Sequence, residues 1–565
     1  MKGISVFRQR LIVAAAIVAL LATFGASMVR ADATASLKVK ILAVNDFHGQ
    51  LSPLTDDTGQ QVGGAAYLTA YIKRAQAGME DATVIVDAGD HVGASPANSA
   101  LLMDEPSIMV LNTLANPHCL ANKMDRQCNI VGILGNHEFD KGVRELKRKM
   151  EGGRYESRPE DHVKAPYLKD PYPGARYPVV CANVVESPTG KTLVPPYVIK
   201  SVRGVPIAFI GAVLKGTKRI VMPAFVAGLE FKDEAESINS YIPEIKAQGV
   251  HAIVAVIHQG DQNGQDPMMA DIVKKLDPAV DVVISAHTHK GYARMLRNSA
   301  GKEVLVTQAW SYSTAYADIT MEINPTTREI VAKWANIATV NSGVAPDPEV
   351  QKIVEDADDM VRKVVSEKEG QAATDITARA TDAGESPLGD LIADALRTAR
   401  EGIDFAFVNS GGIRAKLLKG PVTWGRLFDT QPFGNRLVTM SMTGQQIYEL
   451  LEEQWSDRMR PNILQVSGLT YQWKSGGGGK RRIVVNGSVR KDGVPIDRSA
   501  SYTVATNDYL ATGGDGFWGF TKGASRQGVD GPPVDVVDVL AAYVRSLPNP
   551  FREPVDAGKR VTRVP

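Results

Sequence analysis

The sequence predicts two α/β units joined by a long helix. Its 565 residues exceed what one hydrophobic core ordinarily serves. From about residue 36 to 340, short apolar runs alternate with amphipathic stretches, the pattern of a layered α/β domain. Residues 347–369 then read as an uninterrupted charged helix, with Val350, Ile353, Val354, Met360, Val361, Val364 and Val365 at helical spacing. Strand patterns resume after it. A composition of 44% hydrophobic and 22% charged residues is that of a globular protein. The formal net charge of +1 argues against a nucleic-acid partner, which calls for a basic face.

The chain opens with Lys2, Arg8 and Arg10, an uncharged run over 11–29, and the small residues Ala31 and Ala33 around Asp32. This order predicts a secretory signal over 1–33, cleaved after Ala33. An uncleaved anchor is the alternative, since the run is just long enough to span a bilayer. Removal takes away four bases and one acid, leaving a net charge of about −2. No other long apolar run follows, so no stable membrane insertion is expected after cleavage, and a periplasmic or secreted location is.

The first unit, 34–342, has strand candidates at 39–44, 84–87, 130–134, 207–213, 252–257, 282–285 and 304–308, and helical stretches at 65–77 and 232–248. Residues 151–176, polar and rich in Pro, Gly and Tyr, read as a surface insertion. Cys119 and Cys128, nine apart in a polar stretch, read as a disulfide in an exported chain, with two free thiols as the alternative. Cys181 lies in an apolar run and reads as a buried strand residue. The linker helix occupies 343–370. In the second unit, 371–565, a helix is expected at 386–400 and strands at 405–408 and 502–506. The glycines at 476–479 lack a following Lys-Ser/Thr and read as a hairpin loop, not a phosphate cradle.

Five stretches in the first unit share one design: a strand ending in metal-ligand side chains. They are Asn45-Asp46-Phe47-His48-Gly49, Gly89-Asp90, Gly135-Asn136-His137-Glu138, Ile257-His258 and Ala286-His287-Thr288-His289. Six of the nine histidines lie in or beside them. The pairs Asp46/His48 and His287/His289 have the i, i+2 spacing that puts both side chains on one side of an extended segment. Ligands at strand C-terminal ends can converge on one crevice at a sheet edge. Carboxylate, imidazole and amide oxygen without thiolate suit Zn²⁺, Mn²⁺ or Fe. Two such ions about 3.5–4 Å apart need a bridging carboxylate, and together they clamp the oxygens of a phosphoryl transfer.

These stretches, in this order, resemble the calcineurin-like metallophosphoesterases. In the second unit Asn409-Ser410-Gly411-Gly412-Ile413-Arg414, Gln431-Pro432-Phe433-Gly434 and Gly513-Gly514-Asp515-Gly516 resemble the C-terminal domain of the 5'-nucleotidase/UDP-sugar hydrolase family. The resemblance covers nearly the whole chain after the signal. It implies a four-layer αββα metallophosphoesterase sandwich, a linker helix and a smaller α/β substrate-binding domain. It implies two divalent metal ions (Mn, Zn, Mg or Co). Asp46, His48 and His289 would bind the first, Asn136, His258 and His287 the second, and Asp90 both. Some relatives carry Gln where His289 stands. His137 and Asp140 resemble the family's catalytic dyad, the imidazolium steadying charge on the phosphate and the carboxylate orienting it. Glu138 would support the site structurally. His91, His118, His162 and His251 match no motif and read as ordinary loop or surface residues.

On the substrate side, Arg414 follows a glycine turn and suits bidentate phosphate binding. Phe433 would stack on a nucleobase, with Tyr509, a Phe in most relatives, as its partner. Asp515 would hold ribose hydroxyls and Asn409 a base or phosphate. Nucleotide-specific relatives carry further Arg residues where this chain has Gly384 and Asp390, which removes part of a phosphate clamp. The resemblance also implies that the substrate domain turns about the linker, with a hinge at 366–371. The expected activity is hydrolysis of nucleoside 5'-monophosphates, with UDP-sugars or 2',3'-cyclic nucleotides as further substrates. The alternatives are an esterase for a non-nucleotide phosphate and a non-catalytic binding protein. The last predicts lost metal ligands, and none is lost.

Overall fold

In the computed structural model, which describes residues 36–56, 58–120, 123–157, 161–163, 168–262, 267–455, 461–476, 482–527 and 534–565, the apolar runs become strands. The expected signal over 1–33 lies outside the described residues, as does most of the glycine run. In the first half the strands are Leu37–Val44 (β1), Thr83–Asp87 (β2), Ile130–Ile133 (β3), Val179–Val180 (β4), Tyr197–Val202 (β5), Val205–Val213 (β6), Ala252–His258 (β7), Val280–Ser285 (β8), Gly291–Arg297 (β9), Glu303–Ala309 (β10), Ala315–Ile323 (β11) and Ile330–Thr339 (β12). The helices that position them are Ala65–Gln76 (α1), Glu105–Asn112 (α2), Gly142–Glu151 (α3), Glu234–Ala247 (α4) and Pro348–Val365 (α5).

The strands form two six-stranded sheets, in the orders β12-β11-β1-β2-β3-β4 and β9-β10-β8-β7-β6-β5. The run β1-β2-β3-β4 is parallel, and so is β6-β7-β8-β10. Strand alternation makes the layers. Val39, Ile41 and Ala43 of β1 point at the second sheet and join Phe209, Val254 and Ile284 in one buried core. Leu42 and Val44 point the other way, against Leu68 and Ile72 of α1 and Val110 of α2. On the far side of the second sheet, Ala255 and Ile257 pack on Ile238, Ile242 and Ile245 of α4. The result is helix, sheet, sheet, helix, the expected four-layer sandwich.

Helix α5 is more than a connector. Asp347 caps it by accepting from the Val350 N–H at 3.1 Å. Its apolar stripe, Val350, Val354, Ala357 and Val361, is buried in the same core as α1 and α2. It ends four residues before the expected limit because Lys368–Ala372 pairs with Gly420–Thr423 as a two-stranded sheet.

The second half is built on a five-stranded sheet. Its strands are Phe405–Asn409 (β13), Leu437–Thr443 (β14), Leu464–Ser467 (β15), Ser501–Asn507 (β16) and Ala524–Gln527 (β17), in the order β15-β13-β16-β14-β17. Helices Pro387–Thr398 (α6), Trp424–Thr430 (α7) and Val536–Ser546 (α8) cover one face. Ser386 caps α6 through the Gly389 N–H. Strands Tyr471–Ser475 and Arg482–Val484 pair antiparallel on either side of the glycine run.

Cys119 and Cys128 form a disulfide, with Cα atoms 4.5 Å apart, and Cys181 is a free buried thiol. The stretch 151–176 is only partly superficial. Tyr172 is buried and donates to the Lys149 carbonyl at 3.0 Å, so the end of the stretch belongs to the core. No helix among the described residues is long and apolar enough to cross a membrane.

Candidate metal centre and substrate cleft

The five ligand stretches all leave the C-terminal ends of parallel strands. Asp46 and His48 follow β1, Asp90 follows β2, and Asn136 and His137 follow β3 in the first sheet. His258 ends β7, and His287 and His289 follow β8 in the second. Because the two sheets face each other, their ends meet in one crevice. Backbone hydrogen bonds lock the loops side by side: Asp46 N–H to the Gly89 carbonyl, His48 N–H to Asp90, and Gly49 N–H to His91, at 3.1, 3.0 and 3.1 Å.

This packing demands unusual backbone. Asp46, His48, Asp90, His287 and His289 all have φ between 48° and 71°. Non-glycine residues rarely adopt that region, and several together mark a site where structure over-determines strain. Two glycines make the approach possible. A Cβ on Gly135 would lie 2.3 Å from Asp90 Oδ1, and one on Gly89, at φ 85°, would lie 2.6 Å from the Gly135 nitrogen.

The side chains converge in three overlapping groups: Asp46, His48 and His289; His48, Asp90 and His137; Asp90, His258 and His287. Within each group the ligand atoms lie within 4.8 Å of one another. Asp90 Oδ2 stands 2.9 Å from His258 Nε2 and 3.9 Å from His48 Nε2, between the outer groups. His48 and His289 bring their Nε2 atoms to 3.1 Å. The opposite ring nitrogens are held by carbonyls, His48 Nδ1 by Gly93 and His258 Nδ1 by Ala88, both at 2.8 Å. That fixes the tautomer that leaves Nε2 facing the crevice. Among the described residues the buried Asn136 Oδ1 has no hydrogen-bond partner. Clustered imidazoles, two buried carboxylates and an unsatisfied amide oxygen are a donor set that fits divalent cations.

The electrostatics divide the buried histidines. Burial, chiefly, keeps His48 well below the usual imidazole range, so it is neutral, as a ligand must be. Burial would raise Asp90, but His258, His137 and His48 around it hold it well below the usual carboxylate range. Burial also opposes a proton on His258, yet the Asp90 carboxylate pushes its pKa up to about 10.

His137 and Asp140 are paired, Nδ1 to Oδ2 at 2.6 Å. The His137 N–H donates to Asp90 Oδ1 at 2.8 Å, tying the pair to the ligand cluster. Glu138 has the structural part expected of it, since it accepts from the N–H groups of Asp90, His91 and Gly135. His91 differs from expectation. It is buried, stacked on Phe47 at 4.7 Å, and hydrogen-bonded to the Ser107 carbonyl.

Residues of the second half face the same crevice. The Phe433 ring lies 6.1 Å from His137, and Lys141 Nζ donates to the Phe433 carbonyl at 3.3 Å. Arg414 Nη2 donates to the Tyr312 hydroxyl at 3.1 Å. Asn409 Nδ2 donates to Asp515 Oδ2 at 3.0 Å, and the Tyr509 hydroxyl to Asp515 Oδ1 at 2.7 Å. The structure therefore gathers Asn409, Tyr509 and Asp515 into one hydrogen-bonded group and sets Arg414 and Phe433 against the first half. Gly384 and Asp390 lie elsewhere. Gly384 backs onto Ile463, and Asp390 is a buried acid beside Glu385 and Arg560, its pKa raised to about 8 by burial first and by Glu385 second.

Two groupings have no signal in local sequence. Tyr312, at φ 55°, reaches Arg414 across the cleft. His162, in the 151–176 stretch, meets Asp535 and Asp538 near α8, at 3.3 and 3.7 Å.

Comparison with known proteins bears on this geometry. The calcineurin-like phosphoesterase profile matches residues 39–291, and that of the 5'-nucleotidase C-terminal domain matches 364–522. The cell wall protein Lmo0130 of Listeria monocytogenes is 34% identical over 558 residues, covering 91% of this chain and 68% of that protein. The chain belongs to the 5'-nucleotidase family of calcineurin-like phosphoesterases. The phosphoesterase profile and the likeness to a solved 5'-nucleotidase support a metal-dependent phosphoester hydrolase. Endonuclease YhcR of Bacillus subtilis is also 34% identical, over 524 residues and 91% of this chain, but the chain spans only 40% of its length. Among solved structures, a 5'-nucleotidase precursor from Thermus thermophilus superposes with a TM-score of 0.73 at 27% identity, covering 94% of this chain and 99% of that one.

Proposed function

We propose that this family member is an exported phosphohydrolase that removes phosphate from nucleotides, with nucleoside 5'-monophosphates as its first substrates and UDP-sugars or 2',3'-cyclic nucleotides as further ones. The observation that carries the reading is the closeness of the two residue sets, with Phe433 6.1 Å from His137. A nucleotide held by its nucleoside part at Phe433, Tyr509 and Asp515 would present its phosphate to Arg414 and the ligand cluster. Two divalent ions, the first held by Asp46, His48 and His289, the second by Asn136, His258 and His287, with Asp90 between them, would supply hydroxide and neutralise the phosphoryl oxygens. His137, kept cationic by Asp140, would stabilise charge building on the phosphate. Arg414 would clamp the phosphate by paired N–H donors. The substrate half, 371–565, would turn against the metal half, 34–342, at 366–371. Export rests on the expected signal, on the disulfide, and on the likeness to a relative named a cell wall protein.

A second reading, hydrolysis of a non-nucleotide phosphate ester, has one observation in its favour. Both oxygens of Asp515 are already engaged by Tyr509 and Asn409. A substrate panel separates the readings. Purified protein with Mn²⁺, Zn²⁺ or chelator is given AMP, UDP-glucose, 2',3'-cyclic AMP, sugar phosphates and single-stranded DNA. Phosphate release from AMP is the expected result. Turnover of sugar phosphates with none of any nucleotide would replace the first reading by the second.

A further inference from the structure

We propose that Tyr312 is a positioning residue: from the metal half of the chain, its hydroxyl holds the Arg414 guanidinium of the substrate half over the ligand cluster. This deepens the proposed function and rests on it. Tyr312 and Arg414 are 102 residues apart, and their hydrogen bond of 3.1 Å crosses the cleft. The Tyr312 ring lies 5.4 Å from His48 and 5.2 Å from His289, so its hydroxyl is presented at the rim of the first ligand group. The backbone gives up ordinary geometry to put it there. Tyr312 has φ 55°, with Trp310 and Ser313 beside it at 52° and 58°. A bulky side chain in that region is an outlier and must be held by its surroundings. Here the Tyr312 N–H donates to the Asp46 carbonyl at 2.8 Å, which couples the strained turn to a metal-ligand residue.

Arg414 needs such a partner. Its backbone is anchored in its own half, N–H to the Thr430 carbonyl at 2.9 Å. Its side chain crosses to the other half, and its charge there reaches both His48 and His137. The Arg414 Nε atom is buried and lacks a hydrogen-bond partner among the described residues. A buried donor in that state is costly, and an anionic oxygen would satisfy it. Tyr312 thus fixes one arm of the fork and leaves another donor for a phosphate. Phenylalanine at this position would keep the ring contacts and lose only the tether.

The test is a cycle of Tyr312→Phe, Arg414→Ala and the double variant. Readouts are kcat and KM for AMP, calorimetric binding of inorganic phosphate with Mn²⁺ present, and bound metal per chain. Tyr312→Phe is expected to lower kcat/KM by about tenfold, the scale of one hydrogen bond to a charged group. It should weaken phosphate binding and leave metal content unchanged. In the Arg414→Ala background the same change should do nothing further. Wild-type phosphate binding and turnover in Tyr312→Phe would overturn the inference, and so would an equal loss in the Arg414→Ala background. If the wild type turned over no nucleotide, the proposed function would fall, and phosphate binding would still decide the part played by Tyr312.

Discussion

Asp140 Oδ2 lies 2.6 Å from Nδ1 of His137, and the backbone N–H of the same histidine donates to Asp90. One residue is thereby aligned twice, its ring by a carboxylate and its main chain by the acid between the ligand groups. Asp140→Asn keeps the shape and removes the charge. It should lower kcat by about a hundredfold with KM little changed, since the interaction counts most in the transition state. Steady-state kinetics at matched metal content checks this; a kcat within about twofold of wild type would discard the dyad.

Asp90 stands between two histidine groups, which makes it the side chain whose loss should cost the most metal. Chelation should abolish turnover and lower Tm, because cations that bind only the native state stabilise it by mass action. Added Mn²⁺ should restore both in the wild type and neither in Asp90→Asn. Metal analysis should find about two ions per wild-type chain and at most one in the variant.

Gly135 tests the crowding behind the site. Its Cβ position falls 2.3 Å from Asp90 Oδ1 and 2.4 Å from the Asp90 nitrogen. Gly135→Ala should cost about 1–3 kcal/mol of stability, the usual scale of overpacking. Activity should fall much further than stability, because the displaced carboxylate belongs to the proposed metal site and accepts the His137 N–H. Thermal melts and kinetics on the same sample separate the two effects.

Lys200, which belongs to none of the ligand groups, offers a pH test of stability. It is 1% exposed, its Nζ reaches the Asp125 carbonyl at 3.3 Å, and burial pushes its pKa down to about 7. The unfolded chain keeps the proton up to about pH 10. Between those limits the unfolded state binds more protons, so this residue makes stability rise with pH, and its cost is full below about pH 7. Lys200→Met should therefore raise Tm near pH 6–7 and lose that advantage towards about pH 10. Equal gains at both pH values would refute the burial argument.

Much of this architecture is legible in the chain. The strand runs and the i, i+2 pairs Asp46/His48 and His287/His289 are local patterns, while the ligand roles assigned to them come from the resemblance of the whole motif set. What local sequence hides is which elements meet. The stripe of α5 is visible, but that it closes the core of α1 and α2 is not, because its partners lie far back in the chain. His91 looks like any loop histidine until Phe47 and Ser107 enclose it. Asp390 looks like a lost phosphate ligand, while its surroundings are set by Arg560, near the C-terminus. Tyr312 carries no motif, since its place depends on a left-handed turn and on an arginine in the other half.

The burial of α5 decides where this chain can be cut. A fragment ending before Pro348 would uncover Leu68, Ile72 and Val110 to water and invite self-association. One ending just after Ser366 keeps the helix as a lid on that surface and severs only the short step to the strand at Lys368–Ala372. For anyone producing the metal-binding half alone, the helix is cargo that must travel with it.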